Sequence, residues 1–318
     1  MIDFVKVDAV RLVDSDLTLH PLLKDSFESV FHHHTAEIKE QRATYKNMVF
    51  ILKPNGRLFI QGSLHKFYNL LDEISAPNQN TDFKKSKGFN GNDFDYNKLS
   101  CSIMCLLKMF DIDIEKTRIL NIEFGLNIAH VLNTQLILNG LLRHRGALFN
   151  KPMQNSFRKL RHEHYFIKCY DKSLQYGMKS SLLRFELSYK KMQELRVIGV
   201  HYLADLLNQS ILENLLPILI KRWDEILYCD YTISTKHLTK KDELMLANYR
   251  NENYWQELDS NRLHRPKEHL NELTYKYSNN IKESLREQLI KKWGLLNTVC
   301  VITYHSNTFG KYLHKESA

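Results

Sequence analysis

The sequence predicts an α+β fold: one antiparallel sheet with helices packed on one face, followed by a helical C-terminal region. Three observations predict it. In residues 182–189, Leu182, Arg184, Glu186 and Ser188 alternate with Leu183, Phe185, Leu187 and Tyr189, the period of a half-buried strand with one apolar side. Runs 47–53 and 57–65 flank Pro54-Asn55-Gly56, a turn sequence that joins antiparallel strands. Beyond residue 208 apolar residues recur only at helical spacing, opposite heavily charged faces.

The remaining elements follow in chain order. Residues 2–12 alternate as a first strand, and residues 17–43 read as helical or irregular. Residues 70–94, rich in Asn, Asp, Lys and Gly, are expected to form a long surface loop. Leu99, Ile103, Leu106, Leu107 and Phe110 give an apolar stripe to a helix over 96–110. A strand over 116–124 points Leu120, Ile122 and Phe124 one way and Ile119, Asn121 and Glu123 the other. Gly125 is expected to end it, with a helix near 129–141. Residues 164–171 then pair with 182–189 across a short polar link. A short helix spans 200–208, and Ser210 with Glu213 carries a capping-box signature for a helix to about Tyr228, kinked at Pro217. Helices follow over about 239–258, 267–276 and 279–294. The chain thus divides into an α+β unit, 1–208, and a helical unit, 209–318.

At 318 residues the chain can bury a substantial core, and 43% hydrophobic with 25% charged residues is the balance of a soluble globular protein. No apolar run is long enough to cross a bilayer, and the opening MIDFVKVDAVRL lacks a signal-peptide layout. A cytoplasmic protein without membrane partners is expected. The five cysteines, 101, 105, 169, 229 and 300, are odd in number and scattered; for Cys101 and Cys105, four apart in an apolar helical stretch, buried free thiols fit better than disulfides or zinc ligands. A net charge of +9 and a pI of 9.1 favour an anionic partner, nucleic acid first.

Four strand segments each place a functional group on the less apolar face: His65, Glu123, Tyr170 and Glu186. Tyr170 stands between Lys168 and Lys172 at period two, so paired strands would gather a phenol, two carboxylates and several cations. Such a set suits a tyrosine attacking a phosphodiester, because cations or a metal must stabilise the phenolate of a group that ionises near pH 10. Two carboxylates and a phosphate oxygen suit Mg²⁺ or Mn²⁺. The residues also leave plainer readings open. Tyr170 packs well on any sheet, Glu123 and Glu186 can be solvated or paired with Arg118 and Arg184, and His65 can be structural. His32-His33-His34 fan apart, whereas His162 and His164 can share a strand face as a weak metal signal. Tyr176 and Tyr189 compete as nucleophiles, Tyr176 in the link and Tyr189 on the apolar face.

The ordered blocks IQGSLHKFYN (60–69), FNGNDF (89–94), NIEFGLNI (121–128), FIKCYDKSLQY (166–176) and LLRFELSYK (182–190) resemble rolling-circle replication initiators. The likeness is to the filamentous-phage gene-two type and, more loosely, to plasmid trans-acting nicking initiators. It covers about residues 1–230. The resemblance implies a replication-initiator nickase-like fold and a site-specific DNA endonuclease and strand transferase acting through a 5′-phosphotyrosine bond. On the matching positions, Tyr170 would be the nucleophile and Lys172 a phosphate or phenolate stabiliser. Glu123 and Glu186 would be metal ligands for Mg²⁺ or Mn²⁺. His65, which matches the GSLHK block, is a further candidate ligand, and Lys168, Arg184 and Lys66 are candidate DNA contacts. The implied partners are single-stranded or hairpin origin DNA and a host helicase. A His-hydrophobe-His pair is absent, and a long polar stretch separates the GSLHK and NDF blocks. A non-catalytic DNA-binding protein on the same scaffold, a repressor or decayed initiator, is the alternative; a structural protein using the helical tail is a third.

Overall fold

The computed structural model describes residues 1–78, 84–85, 87–130, 132–153 and 156–298. Strand β1 (Ile2–Ala9) is followed by β2 (Glu28–Phe31), β3 (Ile38–Tyr45), β4 (Met48–Leu52), β5 (Leu58–Ser63) and helix α1 (Leu64–Leu71). Helix α2 (Tyr96–Phe110) leads into β6 (Arg118–Ala129), α3 (Thr134–Gly140), β7 (Leu141–His144), β8 (Ala147–Leu148) and β9 (Asn150–Met153). Next come β10 (Phe157–Arg161), β11 (Tyr165–Asp171), α4 (Lys172–Tyr176), β12 (Leu182–Tyr189), α5 (Gln193–Val197) and α6 (Gln209–Asp224). The last elements are β13 (Ile226–Tyr228), α7 (Lys240–Arg250), α8 (Glu252–Glu257), α9 (His264–Tyr277) and α10 (Ile281–Asn297).

Ten strands form one antiparallel sheet in the order β2-β3-β4-β5-β1-β6-β12-β11-β10-β9, and β13-β7-β8 form a small second sheet. Directly paired residues share a face, so the register sorts the large sheet into two. One face carries Val5, Val7, Phe50, Ile60, Ile122, Phe124, Ile167, Cys169, Phe185 and Leu187, all buried. Their core takes in Phe67 of α1, Leu99, Ile103 and Leu106 of α2, Leu215 and Trp223 of α6, and Leu289 and Trp293 of α10. The rings of Phe185 and Trp223 lie 4.9 Å apart, those of Phe124 and Trp293 6.3 Å. The fold is therefore the expected α+β one, helices on one face. Residues on both sides of position 208 share this core, while α7, α8 and α9 build a second cluster with Leu142, Cys229 and Ile233.

Several elements differ from the sequence expectation. The 17–43 region contains β2 and β3, whose polar run Lys39-Glu40-Gln41-Arg42 hides the alternation; on β3 only Glu40 and Ala43 are buried. Strand β6 runs on through Gly125 to Ala129. Strands β7 to β10 and β13 were not anticipated, being short or polar. Asn208, not Ser210, caps α6, its side chain accepting from the Ser210 N–H at 3.0 Å. Pro217 lies inside that helix. The 239–258 helix breaks at Asn251, which caps α8. Within 70–94, Phe89, Asn90 and Phe94 are buried rather than at the surface; residues 79–83 and 86 of that stretch lie outside the described residues, as does Cys300. The other four cysteines are buried and free. Among the described residues no helix is long and apolar enough to cross a membrane.

Candidate active site

The second sheet face is set by three cross-strand rows. Tyr170 on β11 stands opposite Arg184 on β12, which stands opposite Asn127 on β6. One step along, Lys168 faces Glu186, which faces Gly125; the next row runs Phe166, Ser188, Glu123 and Phe4. Gly125 is required for this convergence. A Cβ there would lie 2.2 Å from the Phe185 carbonyl oxygen and 2.5 Å from Glu186 Cα, so any side chain would push β12 away from β6. The residue expected to end the strand instead lets the two carboxylate-bearing strands approach.

Lys168 Nζ donates to Glu123 Oε1 at 2.9 Å and to Glu186 Oε1 at 3.0 Å. Ser188 Oγ donates to the same Glu123 oxygen at 2.6 Å, and Arg184 Nε to Glu186 Oε2 at 2.7 Å. Arg184 also reaches Asp3 Oδ2 at 3.2 Å and Asn127 Oδ1 at 3.2 Å. Asp3 accepts from Asn90 Nδ2 at 2.7 Å and from Ser63 Oγ. Three carboxylates and two cations thus form one network whose charge-assisted bonds fix each side chain. A cavity of about 360 Å³ opens over it, bordered by Phe4, Lys66, Tyr170, Lys172 and Gln175.

Burial and neighbouring charge compete in this network. Burial raises the Glu186 pKa, but Lys168 and Arg184 outweigh it and hold the carboxyl below its usual value. Asp3 behaves alike: burial is overcome by Arg184 and then Lys172, and its pKa falls well below the usual range. For Lys168 burial is overcome by Glu186 and Glu123, so its charge is locked in. Tyr170 goes the other way. Burial, reinforced by the Glu186 charge, raises its pKa well above 10. The expected stabilisation of a phenolate by the flanking lysines is not what the free protein shows, because Lys168 is committed to the carboxylates. Lys172, 1% exposed, is pushed down to about 7 by burial and then by Arg184. Its Nζ lies 3.4 Å from Tyr170 Oη.

Of the residues singled out from the sequence, Tyr170, Lys172, Lys168, Arg184, Glu123 and Glu186 come together, and Lys66 borders the same cavity from α1. His65 does not join the carboxylates. It sits in α1, which starts at the Ser63 cap instead of extending the strand, and its Nε2 bonds to Asn92 Oδ1 at 2.6 Å. Its ring stacks on Phe94, and burial lowers its pKa to about 3. Among the described residues no three His, Cys, Asp or Glu side chains are placed to share a metal ion. His162 bonds to His144 Nδ1 at 2.8 Å in the turn between β10 and β11, whereas His164 lies beside Glu163. Tyr176 is buried on α4, its hydroxyl donating to Asn90 Oδ1 at 2.5 Å. Tyr189 is buried on the core face, donating to Glu194 at 2.8 Å. Sequence reasoning missed Asp3, Asn90, Asn127 and Ser188. For Asp3 there was a signal: a carboxylate next to the apolar positions of the first strand. An irregularity between Ile2 and Phe4 places it in the network.

No protein-family model matches the chain, and no curated protein matches it. Among solved structures, the chain is similar to the rolling-circle replication initiator protein from Geobacillus stearothermophilus, with a TM-score of 0.39 and 9% identity over 85% of this chain and 96% of that one.

Proposed function

We propose that the protein is a DNA-nicking endonuclease and strand transferase that initiates rolling-circle replication of a phage, plasmid or mobile element. The observation that carries the reading is the placement of Tyr170 Oη 3.4 Å from the Lys172 amine, at the edge of an open cavity beside a carboxylate–cation network. The five sequence blocks in order support it.

In the proposed reaction Tyr170 Oη attacks a scissile phosphate. The Oη–H proton passes to the uncharged Lys172 amine as the oxygen bonds to phosphorus. The P–O3′ bond breaks, and the leaving 3′ oxygen takes a proton from solvent water and becomes a free hydroxyl, with the 5′ phosphate esterified to Tyr170 and the tyrosine's proton left on Lys172. Lys66, at the cavity border, provides positive potential for the phosphate, and the Lys168 and Arg184 charges offset those of the three carboxylates. Glu123 and Glu186, which share the Lys168 ammonium, carry the hard oxygen donors that suit Mg²⁺ or Mn²⁺ and would be the residues to hold such an ion in exchange for that lysine. Such an ion would stabilise negative charge building on the phosphate. The substrate in this reading is single-stranded or hairpin origin DNA, with a host helicase supplying the strand.

A second reading, a DNA-binding protein without chemistry, is favoured by one observation: Lys168 and Arg184 satisfy the carboxylates so fully that the network also serves as a structural one. Incubation with labelled single-stranded oligonucleotides, followed by denaturing electrophoresis, separates the two. The nickase retains label covalently; the binding protein binds tightly and retains none.

A further inference from the structure

Beyond the catalytic network, the open sheet face repeats one arrangement three times. On β11 Phe166 has Lys159 Nζ 4.7 Å from its ring centre and the Arg161 guanidinium at 5.9 Å, both from β10. On β1 Phe4 has Lys190 Nζ at 5.8 Å. On β5 Phe59 has the Arg57 guanidinium at 5.0 Å and Lys6 Nζ, from β1, at 5.8 Å. The register puts Phe166 level with Ser188, Glu123 and Phe4, and Phe59 level with Asp8 on β1. The three rings therefore lie on the face that holds Tyr170. Phe4 and Phe166 are three strand spacings apart, about 14 Å, with the carboxylate network between them. None of the rings is in the hydrophobic core; Phe4, Phe59 and Phe166 are each half-buried. Among the described residues Lys6, Lys159, Arg161 and Lys190 take part in no ion pair.

We infer that this face is a platform for single-stranded DNA, on which Phe4, Phe59 and Phe166 stack bases while Lys6, Lys159, Arg161 and Lys190 hold phosphates; Arg57, paired with Asp8 at 2.6 Å, is left out of that set. Rings interleaved with cations are the pairing that sequence-tolerant single-strand binders use, since every base has a π face and every nucleotide a phosphate. In the free protein each cation lies against a ring. A phosphate draws the cation off and leaves the ring free for a base, so one strand satisfies both groups at once. A duplex keeps its bases stacked on each other and offers the rings nothing. The platform rests on the nickase reading for its role, which is to hold the strand on either side of Tyr170 without reading its sequence.

The test uses the full chain carrying Tyr170→Phe, so that binding is measured without covalent capture. Fluorescence anisotropy is followed for a labelled oligothymidine, with a duplex of equal length as competitor. Phe4→Leu, Phe59→Leu and Phe166→Leu keep apolar bulk on the strands, and thermal unfolding reports whether each folds; Lys190→Gln and Lys159→Gln alter only exposed or half-buried cations. Each Leu variant should weaken oligothymidine binding on the order of ten-fold with an unchanged salt slope. Each Gln variant should lower the salt slope by about 0.7. Leu variants that fold and bind as tightly as the parent, or a duplex that competes equally, overturn the platform and point to a charge-only or duplex partner. Covalent adduct formation by the unsubstituted protein is scored separately. An adduct with ring-independent binding sinks the platform alone, and ring-dependent binding without an adduct sinks the nickase alone.

Discussion

Lys172 Nζ lies 3.4 Å from Tyr170 Oη, and the same burial drives the two groups toward their neutral forms. A phenol that keeps its proton sits beside an amine that is half uncharged near pH 7. The amine is a base suited to neutral pH. In the proposed reaction the phenol would become acidic enough to release its proton only as its oxygen bonds to phosphorus.

The nicking rate should follow the neutral fraction of Lys172. It should rise about ten-fold per pH unit below pH 7 and level off above it, as single-turnover cleavage measured from pH 5.5 to 9 will report. Lys172→Met should abolish the rise and cut the rate by about 10²–10⁴-fold. The same substitution should stabilise the fold. The folded pKa of Lys172, about 7, is depressed below the ordinary lysine value of 10.5. The unfolded chain therefore binds more protons between those two pH values, and stability rises with pH across that window. The burial penalty is fully present below pH 7, and Lys172→Met removes it. The Tm of that variant should exceed the parent's at pH 6 by several degrees, with the gap closing toward pH 10.5.

Metal and lysine should compete for one seat. Lys168→Met frees two carboxylates to repel each other, so the variant should have a lower Tm than the parent in chelator and recover it with Mn²⁺. Calorimetric Mn²⁺ affinity should rise in Lys168→Met and fall at least ten-fold in Glu123→Gln. Unchanged affinity in both variants removes the pair from any metal site. Glu186→Gln is a poorer probe of the metal site than Glu123→Gln. Glu186 is 2% exposed and neutralises two cations, so its loss should cost about 3–5 kcal/mol of stability.

Gly125→Ala places a methyl group against the β12 backbone. Urea unfolding should show a loss of about 1–3 kcal/mol, and strand separation at Glu186 should lower nicking as well. A variant as stable as the parent would show that β6 and β12 do not need this close approach.

The parts of the site legible in the sequence are those where apolar residues line one face of a strand and polar ones the other, even where, as on β12, both faces are buried. On β12 the apolar residues Leu183, Phe185, Leu187 and Tyr189 announce the face that Arg184 and Glu186 must oppose, and Lys168 and Tyr170 follow on β11. Gly125 misled because glycine usually interrupts a strand, and here it serves a contact with a strand 60 residues on. Asn90 was hidden in a polar stretch whose burial depends on Asp3, a distant partner in sequence. His65 was placed on the strand face by counting, whereas the Ser63 side chain, accepting from Lys66 N at 3.1 Å, starts a helix two residues earlier. The polar strands β2 and β3 were lost for the same reason in reverse: Glu40 is buried by ion pairs with Arg42 and Lys53, which hydropathy cannot anticipate.

The central claim, that Tyr170 is the nucleophile, is tested most directly by mapping the covalent adduct. The protein is incubated with single-stranded origin DNA, digested with nuclease and then with protease, and the peptides are read by mass spectrometry. The account predicts a nucleotide remnant on Tyr170, and no adduct from Tyr170→Phe, which keeps DNA binding because only one oxygen is lost. A remnant on Tyr176 alone, with full cleavage by Tyr170→Phe, would contradict it.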